Sequence, residues 1–181
     1  MRVITGTAKG HKLSTPPGLD TRPTSEMVKE AVFSIIQFEI EGARVLDLFA
    51  GTGQLGIEAL SRGAYSASFV DKSKTSTAVI NENLIKTKLK DKARVLTADV
   101  LTFVNSTTER FDIVFIDPPY SESVDAEFLN KLSERINDSG IIICETDNRQ
   151  TLPENAGEFG LKKEYKYGKT KITTYRKTRK D

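Results

Sequence analysis

The chain has 181 residues, of which 38% are hydrophobic and 29% charged, and this predicts one domain with a full core and at most a small appendage. A single cysteine and a single histidine exclude an internal disulfide and argue against a zinc site. The net charge is only +2, and no apolar run of membrane-spanning or signal-peptide type occurs, so we expect a cytoplasmic protein with no membrane partner and no metal.

The first 24 residues are predicted to form a small β-hairpin extension, because β-branched residues alternate there with glycines and prolines. After this extension, Thr24 or Ser25 can cap a helix. Apolar residues recur at helical spacing along that helix, at Met27, Val28, Ala31, Val32, Ile35 and Ile36. The expected organisation is therefore an extension over residues 1–24, followed by a single domain over residues 25–181.

From Ala43 onwards the sequence alternates between short apolar runs and amphipathic segments. The apolar runs predict strands over Arg44 to Phe49, Ala67 to Asp71, Arg94 to Thr97, Phe111 to Asp117 and Gly140 to Glu145. The segments between them predict helices over Leu55 to Arg62, Thr75 to Lys88, Leu101 to Asn105 and Ala126 to Ile136. This alternation is typical of βαβ units, and it predicts an α/β fold with a parallel sheet.

The C-terminal segment has a different pattern. Leu161 to Tyr167 and Lys171 to Tyr175 flank Gly168 in the way that two strands of a hairpin flank their turn. Such a hairpin follows the last parallel strand directly, without an intervening helix. We therefore expect an antiparallel pair at the edge of an otherwise parallel sheet.

The first predicted strand of the sheet runs into a glycine-rich turn that is typical of nucleotide-binding sites. Gly51, Gly53 and Gly56 match the pattern G-x-G-x-x-G, which by itself also fits dinucleotide enzymes. Asp47 favours S-adenosylmethionine, because a carboxylate near this turn repels a pyrophosphate but attracts an ammonium and a sulfonium. The alternative is that Asp47 only caps the loop through hydrogen bonds, which is compatible with either cofactor.

Two further acids follow the next two strands. Asp71 ends the second strand, where an acid can accept hydrogen bonds from both ribose hydroxyls. Asp99 follows the third strand, where it can bind an adenine amino group while Val100 packs on the ring. Ligands of parallel sheets bind at the carboxyl ends of the strands, so the three acids predict one cofactor site.

The most specific motif is Asp117-Pro118-Pro119-Tyr120, directly after an apolar strand. Two adjacent prolines form a rigid turn without N–H donors, in which the Pro118 carbonyl can point at a ligand. An aromatic base amine is a poor nucleophile, but it can pyramidalise when the Asp117 carboxylate and this carbonyl hold its two hydrogens. Tyr120 can stack on a base that has left its helix. The motif therefore predicts methylation of an exocyclic base amine.

The segment Asp47 to Gly53 (DLFAGTG) together with DPPY resembles the class I methyltransferases that act on exocyclic amines of nucleic-acid bases. The segments Arg2 to Gly6, Lys9 to Leu13, Thr21 to Ser25 and Val28 to Phe33 resemble the N-terminal signature of RsmD-type 16S ribosomal RNA guanine-N2 methyltransferases. This resemblance implies a Rossmann-like, mostly parallel seven-stranded sheet and S-adenosylmethionine as methyl donor. It also implies a guanine of 16S ribosomal RNA as substrate, in the assembled or assembling small subunit.

These arguments define the expected site residues. The expected catalytic residues are Asp117, Pro118, Pro119 and Tyr120. The expected cofactor-binding residues are Asp47, Phe49, Gly51, Thr52, Gly53, Asp71, Lys72, Asp99, Val100 and Asp117. Tyr120 stands where many members of the family have Phe, which preserves the stacking surface but leaves guanine and adenine unresolved.

Basic residues are concentrated at the two ends of the chain. Residues 1–22 carry a formal charge of +3 and residues 161–181 carry +7, whereas the stretch between them carries −8. Basic ends suit a protein that holds a phosphate backbone at its periphery, although solvated tails have the same composition. The expected RNA-binding residues are Arg2, Lys9, Lys12 and Arg22, with the basic tail Lys177 to Lys180.

Three alternatives to this function remain open at the level of sequence. An adenine-N6 methyltransferase acting on RNA or DNA shares the DPPY motif, although DNA enzymes usually carry a recognition domain for which this chain has no room. A dinucleotide oxidoreductase shares only the glycines. An RNA-binding module without activity shares only the basic ends. Cofactor binding separates the last two from the methyltransferases.

Overall fold

The computed structural model describes residues 1–17, 25–119 and 121–178. The strands are β1 (Arg44–Leu48), β2 (Ser66–Asp71), β3 (Ala93–Thr97), β4 (Phe111–Ile116), β5 (Ile136–Asp147), β6 (Asn155–Ala156), β7 (Phe159–Tyr167) and β8 (Thr170–Lys177). The α-helices are α1 (Glu26–Ile35), α2 (Gln54–Ser61), α3 (Lys74–Lys86), α4 (Val100–Ser106) and α5 (Ala126–Ser133). Within the described ranges, no helix has the length and apolar character needed to cross a membrane.

All the strands form one sheet in the order β3-β2-β1-β4-β5-β8-β7-β6. The strands from β3 to β5 are parallel, and β8, β7 and β6 are antiparallel to their neighbours. The predicted α/β fold with an antiparallel C-terminal pair is therefore confirmed. The chain moves outward from β1 to β3 and then crosses back to β4 on the other side of β1, which creates a switch point where such sheets bind ligands.

Helices cover both faces of this sheet and create two hydrophobic cores. On one face, α1, α2 and α3 pack on the sheet, with Phe33 of α1 lying 5.7 Å from Phe115 of β4 between ring centroids. On the other face, α4 and α5 pack against β4, β5 and β8, and Tyr175 is fully buried there. Burial of both faces explains why β1 and β4 read as nearly continuous apolar runs.

The N-terminal extension pairs with itself over only a few residues. Arg2 and Lys12 form an antiparallel bridge, and the Val3 amide donates to the His11 carbonyl at 3.0 Å while the Leu13 amide donates to the Met1 carbonyl at 3.1 Å. The predicted hairpin is thus present as this short pairing, without an extended strand within residues 1–17. Side chains of the helices satisfy further backbone groups, because Glu58 of α2 accepts from the amides of Ile4 and Thr5 at 2.8 and 2.9 Å and Asn83 of α3 accepts from Ser14. The extension therefore follows the surface of α2 and α3.

Other predicted boundaries shift for identifiable reasons. Within the described residues the sheet has eight strands instead of the seven expected, because Asn155–Ala156 adds a short strand beside β7. The last helix ends at Ser133 and β5 begins at Ile136, because Ile136 already pairs with Phe111 ahead of a bulge. Met27 shares the helical spacing of the apolar residues in α1, but it is 60% exposed, because Val28 and Val32 supply the buried face of the helix.

Candidate active site

One cavity of about 430 Å³ opens at the carboxyl ends of the parallel strands. It brings together nearly all of the predicted catalytic and cofactor-binding residues that the structure describes. Its lining includes Asp47, Phe49, Gly51, Thr52, Asp71, Lys72, Asp99, Val100, Asp117, Pro118 and Pro119. The loops after β1, β2 and β3 form one side of it, here called the β1–β3 side. The loops after β4 and β5 form the other, called the β4–β5 side.

The turn after β1 approaches the cavity through backbone conformations that side chains disfavour. Phe49, Gly51 and Gly53 all have positive φ, at 56°, 59° and 76°. Gly53 does not line the cavity, because it packs underneath the turn. A Cβ there would lie 3.2 Å from Ile80 and 3.3 Å from Phe69. The turn therefore brings main-chain atoms to the cavity wall, where a side chain would take the space of a ligand.

Asp47 lies beneath the turn and is 2% exposed. One of its carboxylate oxygens accepts a hydrogen bond of 2.9 Å from the Gly56 amide in the first turns of α2. Burial raises the pKa of Asp47 to about 8 and the nearby charge of Asp71 adds to this rise, whereas the Gly56 hydrogen bond opposes it. Asp47 thus both caps the turn and presents a carboxyl group whose ionisation responds to a nearby cation.

Asp71 joins the loops that follow β1 and β2. One of its oxygens accepts from the Gly51 amide at 2.9 Å, and the other accepts from the Ser73 amide at 2.8 Å. A carboxylate can accept about four hydrogen bonds, so each oxygen still has capacity for a ligand. Lys72 is exposed and forms an ion pair with Glu122, which lies on the loop after β4. This ion pair connects the two sides of the cavity at its rim.

Asp99 and Val100 lie at the start of α4. Asp99 is the N-cap, and its carboxylate accepts from the Thr102 amide at 2.9 Å, while the residue itself is exposed. Val100 is 7% exposed and belongs to the core on the α4 face. The pair therefore offers a carboxylate beside an apolar surface at the far end of the cavity.

The DPPY motif begins where β4 ends. Asp117 and Pro118 are half-buried and Pro119 is exposed, while Tyr120 lies outside the described residues. Ile116 pairs in register with Cys144 of β5, so Asp117 and Glu145 are the next residues along these neighbouring strands, and Glu145 stays in the sheet, where it pairs with Ile172 of β8. The Pro119 carbonyl accepts from the Glu122 amide at 3.0 Å, which closes the turn after the motif.

The cavity also contains functional groups that the sequence analysis did not identify. They are Met1, Gln54, Ser73, Ser76, Glu122, Glu145, Thr146, Asp147 and Gln150. Gln54 Oε1 and Thr146 Oγ1 are buried and have no hydrogen-bond partner among the described residues. Gln54 follows the glycine turn directly, and Thr146 lies near the end of a strand next to the DPPY strand. Those positions are the sequence signals that could have identified them.

The predicted RNA-binding residues do not gather in one place, unlike the predicted catalytic and cofactor-binding residues. Arg2 is paired with Glu26 at 2.8 Å, and Lys9 and Lys12 are exposed. The extension runs along α2. At one end of the helix, Thr52 Oγ1 lies 3.3 Å from Met1 Sδ, and at the other end the Ala8 amide donates to the Ser61 hydroxyl. Because α2 is about 10 Å long, Lys9 lies about 10 Å farther from the cavity than Met1.

The rest of the predicted RNA-binding set is paired or undescribed. Lys177 pairs with Asp138 at 2.8 Å and with Glu158 at 2.9 Å. These two acids neutralise the charge of Lys177. Lys177 also lies at the end of β8 that is far from the cavity, because its neighbour Arg176 pairs with Ile141 at the opposite end of β5 from the cavity. Arg22 and Lys180 lie outside the described residues. Of the predicted set, only Lys9 and Lys12 are thus both described and without an ion pair.

Comparisons with known proteins agree with this architecture. The profile of the family described as Conserved hypothetical protein 95 matches residues 1–176. The Bacillus subtilis protein described as "Putative rRNA methyltransferase YlbH" is 37% identical, over 98% of this chain and 99% of its own length. The Escherichia coli "Ribosomal RNA small subunit methyltransferase D" is 31% identical, over 98% of this chain and 90% of its own length.

A solved structure shares the whole fold. The chain described as "Putative methyltransferase yhhF from Escherichia coli" superimposes with a TM-score of 0.87 at 32% identity, and the match covers 98% of this chain and 97% of that one. The predicted class I methyltransferase fold is thereby confirmed. The chain therefore belongs to the family described as Conserved hypothetical protein 95, and its relatives from Bacillus subtilis and Escherichia coli are described as methyltransferases.

Proposed function

We propose that this protein transfers a methyl group from S-adenosylmethionine to the exocyclic N2 amine of a guanine in small-subunit ribosomal RNA. The observation that carries the proposal is that Asp117 and Pro118 line the same cavity as the glycine turn and Asp71. A base amine held by the DPPY motif would therefore lie next to a methyl donor held by the loops after β1, β2 and β3. The names of the curated relatives support ribosomal RNA as the substrate class.

The β1–β3 side fits S-adenosylmethionine in both shape and chemistry. Asp71 lies where it can accept from the ribose hydroxyls, and Asp99 with Val100 offers an acceptor and an apolar surface for adenine. The Asp47 carboxylate, which accepts from the Gly56 amide of α2, and the buried oxygen of Gln54 suit the cationic methionine end. An ammonium there would lower the pKa of Asp47 again and stabilise its carboxylate form.

The β4–β5 side fits the reacting amine. When bound, the cofactor supplies an electrophilic methyl group on sulfur. The Asp117 carboxylate and the Pro118 carbonyl accept the two N–H groups, so the nitrogen lone pair is directed at that methyl group. As the nitrogen–carbon bond forms and the sulfur–carbon bond breaks, Asp117 accepts the proton that the amine loses. Tyr120, next in sequence, supplies the stacking surface for the base.

The acceptors around Asp117 favour guanine over adenine. Next to its amine, guanine presents a second donor at N1, whereas adenine presents an acceptor at N1. Glu145 lies beside Asp117, and Thr146 adds a buried hydroxyl oxygen without a partner among the described residues. A carboxylate at this position can accept from guanine N1–H in addition to its other contacts, but it would face a lone pair of adenine. This difference at N1 supports methylation of guanine N2 rather than of adenine N6.

The proposal is tested by methylating small ribosomal subunits from an Escherichia coli strain that lacks its own small-subunit methyltransferase D. Purified protein and S-adenosylmethionine should convert one guanine to N2-methylguanine, identified by nucleoside mass spectrometry and mapped by oligonucleotide protection. Asp117→Ala is the matched control and should leave the subunits unmodified. Formation of N6-methyladenine, or of no methylated base, would overturn the assignment. Naked 16S ribosomal RNA and assembly intermediates, assayed in parallel, identify which form is the substrate.

A further inference from the structure

A row of unpaired lysines lies on the C-terminal hairpin of β7 and β8. Lys171, Arg176 and Lys177 of this hairpin each form an ion pair, with Glu164, Glu39 and Asp138 among the acids. The other basic residues of the hairpin are all exposed and have no carboxylate partner within the described part of the chain. They are Lys162, Lys163, Lys166 and Lys169, here called the lysine row.

The hairpin tip is attached to the rim of the β4–β5 side. The Asn148 amide donates to the Lys169 carbonyl at 2.8 Å, and the Asn148 side chain donates to the Gly168 carbonyl at 2.6 Å. Lys171 also donates to the Gln150 carbonyl at 2.6 Å. Asp147 and Gln150 on either side of these contacts line the cavity. The lysine row therefore begins beside the proposed base-binding site and leads away from it along β7.

Two tyrosines of β7 lie on one face of the hairpin. Tyr165 and Tyr167 are half-buried against the core, and the Lys163 ammonium lies 4.8 Å from the centroid of the Tyr165 ring. Because successive side chains of a strand point to opposite faces, Lys166 projects from the other face, so the lysine row offers cations for phosphates and no stacking surface for bases. The cavity wall has the opposite character, with Glu145 and Asp147 at the same rim, so phosphates are favoured on the hairpin and disfavoured in the cavity.

We propose that the lysine row binds the sugar–phosphate backbone of the ribosomal RNA strand that flanks the target guanine. This inference rests on the proposed function, and it moves the main RNA contact from the N-terminal residues to the C-terminal hairpin. Arg2 and Lys177, two members of the expected RNA-binding set, are already neutralised by acids, whereas the lysine row is not. Counterion release from an RNA strand should therefore be larger along β7 than at Arg2 or Lys177.

Edge lysines can have another role, which the experiment must separate. Beyond its short pairing with β6, the outer side of β7 is an exposed sheet edge, and lysines on such edges prevent pairing with other chains. That role predicts self-association of a lysine-free variant with unchanged RNA affinity. The RNA role predicts loss of RNA affinity from a variant that sediments like the wild type.

The test compares two triple variants of the full chain. Lys162→Gln, Lys166→Gln and Lys169→Gln remove three charges from the lysine row and leave Lys163 stacked on Tyr165. The matched control changes three exposed lysines at the opposite edge of the sheet, before β3, to glutamine. They are Lys88, Lys90 and Lys92. Binding to the Escherichia coli small subunits is measured across a salt series, together with S-adenosylmethionine affinity and sedimentation.

The lysine-row variant should lose roughly hundredfold in RNA affinity at about 0.1 M salt, and its log–log salt slope should flatten by about two. Its cofactor affinity should equal that of the wild type, and the control should match the wild type in both measurements. The inference is wrong if the lysine-row variant binds RNA like the control or only self-associates. In that case methylation of guanine by the wild-type protein still supports the proposed function. If wild-type protein methylates no guanine, the proposed function fails first, which the same assay shows separately.

Discussion

The two sides of the cavity are built in different ways. On the β1–β3 side, each acid already accepts a backbone amide from a nearby turn or helix: Asp47 from Gly56, Asp71 from Gly51 and Ser73, and Asp99 from Thr102. On the β4–β5 side, the Thr146 hydroxyl has no partner among the described residues, and a proline turn without amide donors leads the chain away. The first side is preorganised for one constant ligand, whereas the second keeps acceptors that a substrate base can satisfy.

The largest effect should come from breaking the β4–β5 side alone. We expect Asp117→Ala to lower single-turnover methyl transfer by about 10²-fold or more, because it removes an acceptor that stabilises charge on the reacting amine. S-adenosylmethionine affinity, measured by calorimetry, should change little. Asp117→Asn should be milder, since its amide oxygen still accepts one hydrogen bond. A wild-type rate for Asp117→Ala would remove Asp117 from the reaction.

A substitution on the β1–β3 side should lower cofactor affinity more than the rate of methyl transfer at saturating cofactor. Asp71→Ala removes the proposed ribose contact and leaves the Gly51 and Ser73 amides without their acceptor, so cofactor affinity should fall about tenfold to hundredfold. Methyl transfer at saturating cofactor should recover most of its rate. Asp91→Ala, which changes an exposed acid before β3, is the control and should leave the affinity unchanged. Equal affinities for the two variants would mean that the cofactor site is misplaced.

Asp47 makes the β1–β3 side sensitive to pH even without ligand. Its folded pKa of about 8 lies above an unfolded value of about 4, so between these values the folded state holds a proton that the unfolded state lacks. The free energy of unfolding should therefore decrease as pH rises from about 4 to about 8 and level off above that. Asp47→Asn, which stays neutral, should remove this gradient in chemical denaturation. A gradient that persists in Asp47→Asn would assign it to other groups.

The two sides of the cavity each contain one buried oxygen without a partner among the described residues, Gln54 Oε1 and Thr146 Oγ1. Gln54→Met preserves the size of the side chain but removes the oxygen, so affinity for S-adenosylhomocysteine should fall about fivefold to tenfold. Affinity for 5′-methylthioadenosine, which lacks the amino-acid end, should be unchanged. Thr146→Val should leave both affinities intact and raise the KM for the ribosomal subunit. A loss of 5′-methylthioadenosine affinity in Gln54→Met would place Gln54 near the nucleoside instead.

The smallest effect is expected from the N-terminal basic residues. Changing Arg2, Lys9 and Lys12 together to Ala should reduce affinity for ribosomal subunits only a few-fold, because Arg2 is paired with Glu26 and Lys9 lies at the far end of α2. Its salt slope should stay steeper than that of the lysine-row variant. A larger loss than from the lysine row would restore the extension as the main RNA contact.

Much of the site could be predicted because its residues lie next to elements with strong local signals. Asp47, Asp71 and Asp117 all lie at or near the ends of apolar runs whose β-strand character follows from composition alone. Parallel strands place their carboxyl ends at one edge of the sheet, so strand order was not needed to bring these acids together. The antiparallel end of the sheet was likewise predictable from the turn at Gly168.

What remained beyond prediction depends on partners that are distant in the chain. The amides of Ile4 and Thr5 are satisfied by Glu58 rather than by a strand, and no local pattern reveals an acceptor more than fifty residues away. Likewise, the net charge of +7 at residues 161–181 counts Lys177 and Lys169 equally, although only Lys177 meets acids in the fold. Composition and periodicity thus determined the parallel strands, the antiparallel end of the sheet and the acids at the carboxyl ends of the strands. Only the tertiary structure decided which charges are neutralised and which buried acceptors lack a partner, because these depend on long-range packing.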